Sequence, residues 1–538
     1  MRIMLAAVTL TGLLACKPSD PKNPETWIAR LTDSDARERV RAVQGLRKLK
    51  ARDAAPQIVP LLRDAQVRED AALALQDLGG PAEVQPLLDA IDTTVGAGSA
   101  QATRSANRTN AKIADALGAI GDPKAGPALL RLARSKDDLV RLSAVQALGL
   151  VHAKEAVPEL SRMVDDESLP PLLIKKAIVS LGQLGDPAAI PALEHGLVIE
   201  RQGVSFLPES SFALFLLGSA AVDPLLKLLQ DEDLAYSAWA KDLSRSAAGT
   251  YAKAALVLGD LGDQRAAPGL LAKLKYADPD PIPQTARLLT NLVREFSANA
   301  LGRLRAKEAA APILLLVQTK DLQDLDLVTF STEALVEIGD RSQAKELLKR
   351  AQSGSFALRV LSAQAAAMLG DPLLSKDLAA LAAREEKGSS ANCQRQAAEL
   401  NLPGGDSKGA CAQLAEQFAQ LVAPLEAARA CAENVPCWTM KLNDQSVQVR
   451  TRAAYQLGRS GDAQPVPALV KAAATLDLPA RVAAIRALGW LASVPAARPA
   501  LKAAAPELAA QLRAEQGRLQ FVRVNEELRR LQETLSRL

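Results

Sequence analysis

Apolar residues return along this chain at helical spacing, and the polar residues between them mark where each helix begins and ends. Val140, Ala144, Ala147 and Leu148 fall at i, i+4, i+7 and i+8 on one face of a helix entered through Asp137 and Asp138. Ala156, Leu160, Met163 and Val164 mark a second helix after a turn. The first helix of each pair ends in a recurring phrase, as in Ala116-Leu117-Gly118-Ala119-Ile120-Gly121-Asp122-Pro123 and Ser180-Leu181-Gly182-Gln183-Leu184-Gly185-Asp186-Pro187. Its glycines are Gly79, Gly118, Gly149, Gly182, Gly218, Gly259, Gly302, Gly339 and Gly370, then Gly458 and Gly489, spaced 31 to 43 residues apart outside one gap of 88. With Ala42 to Leu49 in the same register, Arg47 replacing the glycine, twelve copies are counted. Such periodicity predicts an all-α fold, an α-α superhelix of helical hairpins in which each copy packs on its neighbours.

The turn chemistry follows from the same phrase. Its glycine suits a left-handed residue at a helix C-terminus, and the Asp-Pro pair offers a cap and a first-turn residue to the next helix. A second proline four residues on, Pro127 or Pro191, would cost about 3 kcal/mol deep in a helix, so a short separate turn is expected before the helix proper.

Asp137, Val140, Arg141, Ala144, Ala147, Leu148 and Gly149, and again Asp444, Val449, Arg450, Ala453, Ala454, Leu457 and Gly458 with a one-residue shift, resemble the HEAT repeat. The likeness is to the variety named after phycobilisome lyases, and it covers most of residues 27 to 505. It implies a HEAT-repeat solenoid in which the second helix of each pair lines the concave face. It implies little about function, because function sits in sites and not folds. Hydrophobic residues are 48% of the chain and aromatics only 3%, so the core is expected to be built of Ala, Leu, Val and Ile.

The N-terminus carries separate information. After Arg2 an apolar run reaches Leu13-Leu14-Ala15-Cys16, which resembles a bacterial lipobox. Residues 1–15 are therefore expected to be a signal peptide, Cys16 the lipidated residue and 16–26 a tether. Lys17 favours the outer membrane over the inner one. The alternative is an ordinary secretory peptide that contains a cysteine. No other stretch is expected to cross a bilayer.

Export agrees with the remaining cysteines. Cys393, Cys411, Cys431 and Cys437 all lie in the gap between Gly370 and Gly458 and read as two disulfides, with Cys393–Cys411 and Cys431–Cys437 the favoured pairing. A four-thiolate zinc site is the rival, but no C-x-x-C pair exists. The array is thus divided into repeats over 27–375, a degenerate cysteine-bearing segment over 376–440, repeats over 441–505 and a capping helix over 506–538. That helix would start near Pro506 and bear Leu508, Leu512, Leu519, Val522, Leu528, Leu531 and Leu535 on one face.

Catalytic chemistry is not legible. The two histidines, His152 and His195, lie in different repeats, and no nucleophile elbow, P-loop or dinucleotide motif is present. HEAT-like hydroxylases bind iron through repeated His-Glu dipeptides, whereas this chain has Glu194-His195 in the reverse order, once. No catalytic residue, cofactor or metal site is assigned. Residues 441 to 538 carry 15 Lys and Arg against 8 Asp and Glu, a net of +7 in a chain of net +4, so an acidic partner for this basic end is weighed against a solvated surface. Long connections at 93–110, 199–211, 231–250 and 276–285 suggest a functional rim, and Tyr236, Trp239 and Tyr251 are the aromatic contact candidates. The expectation is a non-enzymatic, lipid-anchored protein of the cell envelope that binds a protein partner on its concave face and binds no nucleic acid. The alternative is a lyase-like or cofactor-handling accessory protein.

Overall fold

The helical phrase folds by local rules that repeat along the chain. In this computed structural model the described residues are 20–93, 99–244, 246–318, 324–387, 391–399, 407–515 and 522–538. The signal segment and Cys16 lie outside them, as do Leu519 and the side chains of Leu512 and Val522. In one copy, helix Ala100–Ile120 leads through the 3-10 turn Pro123–Ala125 into helix Gly126–Leu132, and helix Asp138–Leu150 begins the next. Asp122 and Asp137 cap these turns, accepting from the backbone N–H groups of Lys124, and of Leu139 and Val140. Pro127 therefore sits in the first turn of its helix, where its missing N–H removes no helical bond.

The two glycines of the phrase do different work, which corrects the single role expected for them. Gly121, Gly185 and Gly262 take positive φ and end their helices. Gly118, Gly259, Gly302 and Gly458 lie within helices and pack against the next copy. A Cβ on Gly302 or Gly458 would stand 2.7 Å from the Cα of Ala334 or Ala487. Small residues on both sides let consecutive helices approach closely. Arginines tie the turns together: Arg39 reaches Asp64 at 2.6 Å, and Arg287 reaches Asp324 at 2.6 Å. Arg450 donates to Asp477 of the next copy and to the Asp444 carbonyl.

The chain divides into two compact units, residues 1–213 and 214–538, with the boundary inside helix Leu207–Leu217. The connections expected to form loops are partly regular. Residues 100–110 extend a helix, 200–205 form a two-residue hairpin in which Arg201 pairs with Val204, and Leu234–Asp242 is helical. One described stretch, Leu207–Gln230, is long and apolar enough to cross a membrane, where none beyond the N-terminus was expected. Its apolar character is explained in part by packing, since Leu214, Val222, Leu225 and Leu229 are core residues, and Gly218 at φ +63° interrupts it.

Between Gly370 and Gly458 the segment expected to be degenerate forms helices Ser375–Glu386, Ala391–Glu399, Ser407–Gln420, Val422–Cys431 and Val435–Lys441. The tail departs from expectation. Pro506 lies inside helix Arg498–Glu515 and does not begin it, and a separate helix, Val522–Ser536, follows.

Candidate functional site

In the second unit the glycine-phrase helices face an interior. The residue directly after Leu-Gly, or its counterpart in register, points inward in successive copies: Asp260, Arg303 and Glu337 from helices Ala247–Leu261, Pro283–Leu304 and Leu325–Ile338. Arg459 answers them from helix Val447–Arg459. This reverses the expectation that the second helix of each pair lines the inner wall. The wall is not open. Helix Val522–Ser536 lies against it, with Arg530 2.7 Å from Asp260, and Glu527 2.6 Å from Arg303 and 3.6 Å from Arg486. Arg303 is itself 2.7 Å from Asp260. Arg486 pairs with buried Glu337, Arg459 donates to the Val336 carbonyl, and Arg537 donates to the Leu216 carbonyl at 2.6 Å. Burial holds the Asp260 carboxyl above its usual range, against the pull of Arg303 and Arg530.

The tail helix therefore does more than cap the last copy. It binds helices that precede it by more than two hundred residues. The basic C-terminal end is spent in the same way: Arg452, Arg481 and Arg486 are buried and bond to the chain's own carbonyls and carboxylates. Part of the basic charge is therefore internal, while Lys471, Arg498, Lys502 and Arg513 stay exposed. Between facing helices remains a cavity of about 280 Å³, lined by Thr329, Glu333, Met368, Tyr455, Val482 and Arg486 among others.

In the first unit the phrase helices carry exposed leucines. Leu139 and Leu150 stand three turns apart on helix Asp138–Leu150, 49% and 39% exposed, with half-buried Leu142 between them. Leu172, 55% exposed, repeats Leu139 on helix Pro171–Leu184, where Val179 is half-buried. Lys176 donates to Gln146 at 2.7 Å, and Lys175 is 2.8 Å from Glu209, so polar side chains are interspersed with the apolar ones. Large side chains that could be buried are left in water here.

The residues named from sequence are placed as follows. Tyr236 and Tyr251 are buried, which corrects the view of them as surface anchors; they line a cavity of about 480 Å³. Trp239 packs on Tyr236 and is half-buried. The reason is local: Lys273 sits 3.3 Å from the Tyr251 ring and Tyr276 packs edge-on to it, so the aromatics fill a repeat interface. Cys431 and Cys437 form a disulfide with Cα atoms 5.3 Å apart. Cys411 is also disulfide-bonded, and the side chain of Cys393 lies outside the described residues. His195 Nδ1 lies 2.9 Å from Asp165. The inner-wall residues were missed from sequence, although one signal was present: the register position after Leu-Gly is charged at Asp260, Arg303, Glu337 and Arg459.

Sequence comparison matches a HEAT-repeat family model over residues 24–107, 131–203 and 437–516, and a model of the phycobilisome-lyase HEAT-like repeat over 111–135. The chain carries HEAT repeats. This HEAT chain is 27% identical over 229 residues to deoxyhypusine hydroxylase-B of Oryza sativa subsp. japonica, covering 34% of this chain and 72% of that protein. A crystal structure of importin beta aligns over 92% of this chain and 72% of its own at 11% identity and TM-score 0.45. The complex of CpcE and CpcF of phycocyanin lyase from Nostoc aligns at 19% identity over 61% of this chain and all of its own, with TM-score 0.23.

A correction follows. The expectation that the chain is not an enzyme is overturned by its relative deoxyhypusine hydroxylase-B, which is one. The iron-binding His-Glu dipeptides of HEAT-like hydroxylases do not fit the residues present. Among the described residues no group of three or more His, Cys, Asp or Glu side chains is placed to hold a metal ion.

Proposed function

We propose that this HEAT-repeat chain is a lipid-anchored envelope protein that holds a partner protein on the inner helix faces of its first unit. The observation that carries this is the exposed stripe of Leu139, Leu150 and Leu172 on neighbouring phrase helices of the first unit. Leu139 and Leu150 lie about 16 Å apart along one helix at 1.5 Å per residue, and the neighbouring helix adds Leu172 alongside. A stripe of that length fits an amphipathic helix of the partner, whose own apolar face would cover the leucines while its polar edge meets Gln146 and Lys176. Cys16 supports the membrane part of the reading, and Lys17 the outer-membrane part.

A photo-crosslinking residue at position 150, introduced in cells, tests both parts. The expected result is one discrete protein adduct in the membrane fraction that is lost when Leu172→Asp is added. With Cys16→Ala the adduct should leave that fraction or disappear. No adduct, or one indifferent to Leu172→Asp, contradicts the reading.

A second reading, an enzyme or cofactor-handling accessory protein, is favoured by the hydroxylase relative and by the cavity of about 280 Å³, near the lower limit for small-molecule sites. Absorbing material that co-purifies with the chain and is lost on Val482→Trp would support it.

A further inference from the structure

The second unit contains a cluster of guanidinium groups that form no ion pair among the described residues. Arg341, Arg429 and Arg452 line a cavity of about 250 Å³ together with Gly370, Trp438 and Glu433. Among the described residues no carboxylate forms a salt bridge with any of the three arginines. Glu433 is exposed and pairs with none of them. The nearby aspartates, Asp340 and Asp371, are occupied in capping the backbone N–H groups of Ser342 and Leu373. Arg452 is fully buried. It donates to the carbonyls of Ala367, Gly370 and Pro424 at 3.0, 3.0 and 2.6 Å, while its buried Nε has no partner. Burial, with the charges of Arg341 and Arg459 close by, pulls its pKa down. Arg429 donates to the Pro372 carbonyl and the Ser375 hydroxyl, which holds it at the cavity edge.

The walls of this cavity are constrained. A side chain at Gly370 would collide with the Arg452 guanidinium, so only glycine leaves room for it. Ala432, another lining residue, has φ +46° and ψ −116°, a strained conformation for alanine. It is fastened by the Cys431–Cys437 disulfide and by the Trp438 indole N–H, which donates to the Ala432 carbonyl at 2.8 Å. Carbonyl dipoles offset part of one buried charge. They do not neutralise Arg452 together with the Arg341 and Arg429 charges on the same cavity, and an anion would.

We propose that this cavity is a binding site for a phosphoryl or pyrophosphoryl group. Guanidinium forks match the paired oxygens of such a group, and a cluster of them binds it more tightly than isolated halide or carboxylate ions. The Trp438 ring, 5.6 Å from the Arg452 guanidinium carbon, gives the site a local optical probe. The group's source is a soluble phosphate ester or a lipid headgroup, and the test separates the two.

Titration of the purified full-length chain with inorganic pyrophosphate at constant ionic strength is expected to change Trp438 fluorescence and to raise the melting temperature. Trp438→Phe should remove the fluorescence change, which assigns the signal to this indole. Arg341→Ala with Arg429→Ala should weaken binding about tenfold or more, and Arg429→Lys should restore part of it. Vesicles of phosphatidylcholine with and without phosphatidylglycerol form the second arm. Arginine-dependent binding to the anionic vesicles assigns a lipid source, and arginine-dependent binding of pyrophosphate alone assigns a soluble one. Binding in neither arm, or binding indifferent to the arginine changes, overturns the proposal.

Discussion

At the scale of single residues, two glycines one copy apart test the packing account. A Cβ on Gly458 would meet Ala487 at 2.7 Å, whereas one on Gly489 meets nothing within 4 Å. Gly458→Ala is expected to cost about 1 to 3 kcal/mol through overpacking. Gly489→Ala should be neutral or stabilising by up to about 1 kcal/mol through helix propensity. Thermal melts of the two variants give the comparison. Glu295 supplies a pH test. Burial, together with the Asp326 and Asp324 carboxylates, pushes it from 4.5 up to about 7. The folded chain thus holds this proton more tightly than the unfolded one, and stability falls as pH rises from 4.5 through 7. Glu295→Gln should match the parent below pH 4.5 and exceed it above pH 7, by up to about 3 kcal/mol, in denaturant titrations across that range.

At the scale of elements, the helices were legible because their signals are local. The 3.6 period, the aspartate caps and the placement of Pro127 depend only on neighbours in sequence, and the structure has them. The role of the first phrase glycine was not legible, because Gly458 owes it to Ala487 in the following copy. The path of helix Val522–Ser536 was not legible for a stronger reason: its partner Asp260 lies in a helix that ends at Leu261. Nothing near residue 530 in the sequence reports that contact. Arg530→Asp would leave buried Asp260 facing a like charge, and a loss of about 3 to 5 kcal/mol is expected. The exchange Asp260→Arg with Arg530→Asp should recover part of it. Equal stability of the single variant and the parent in thermal melts would show that the tail helix is not seated on the inner wall.

At the scale of the whole molecule, the phrase helices have two fates. In the second unit they form an ionic and apolar interior that takes up Arg459, Arg486 and Arg530 from the basic C-terminal end. In the first unit Leu139, Leu150 and Leu172 on these helices face solvent. Composition gave no hint of the difference, because both units use the same Ala, Leu and Val core and the same phrase. Only the filling of one interior by later helices separates them. The most direct measurement is photo-crosslinking in cells from two equivalent faces, with the reactive residue at position 150 in one variant and at Val482, which lines the second unit's cavity, in another. An intermolecular adduct at 150 and only intramolecular products at 482 are expected. An intermolecular adduct at 482 with none at 150 would contradict the account.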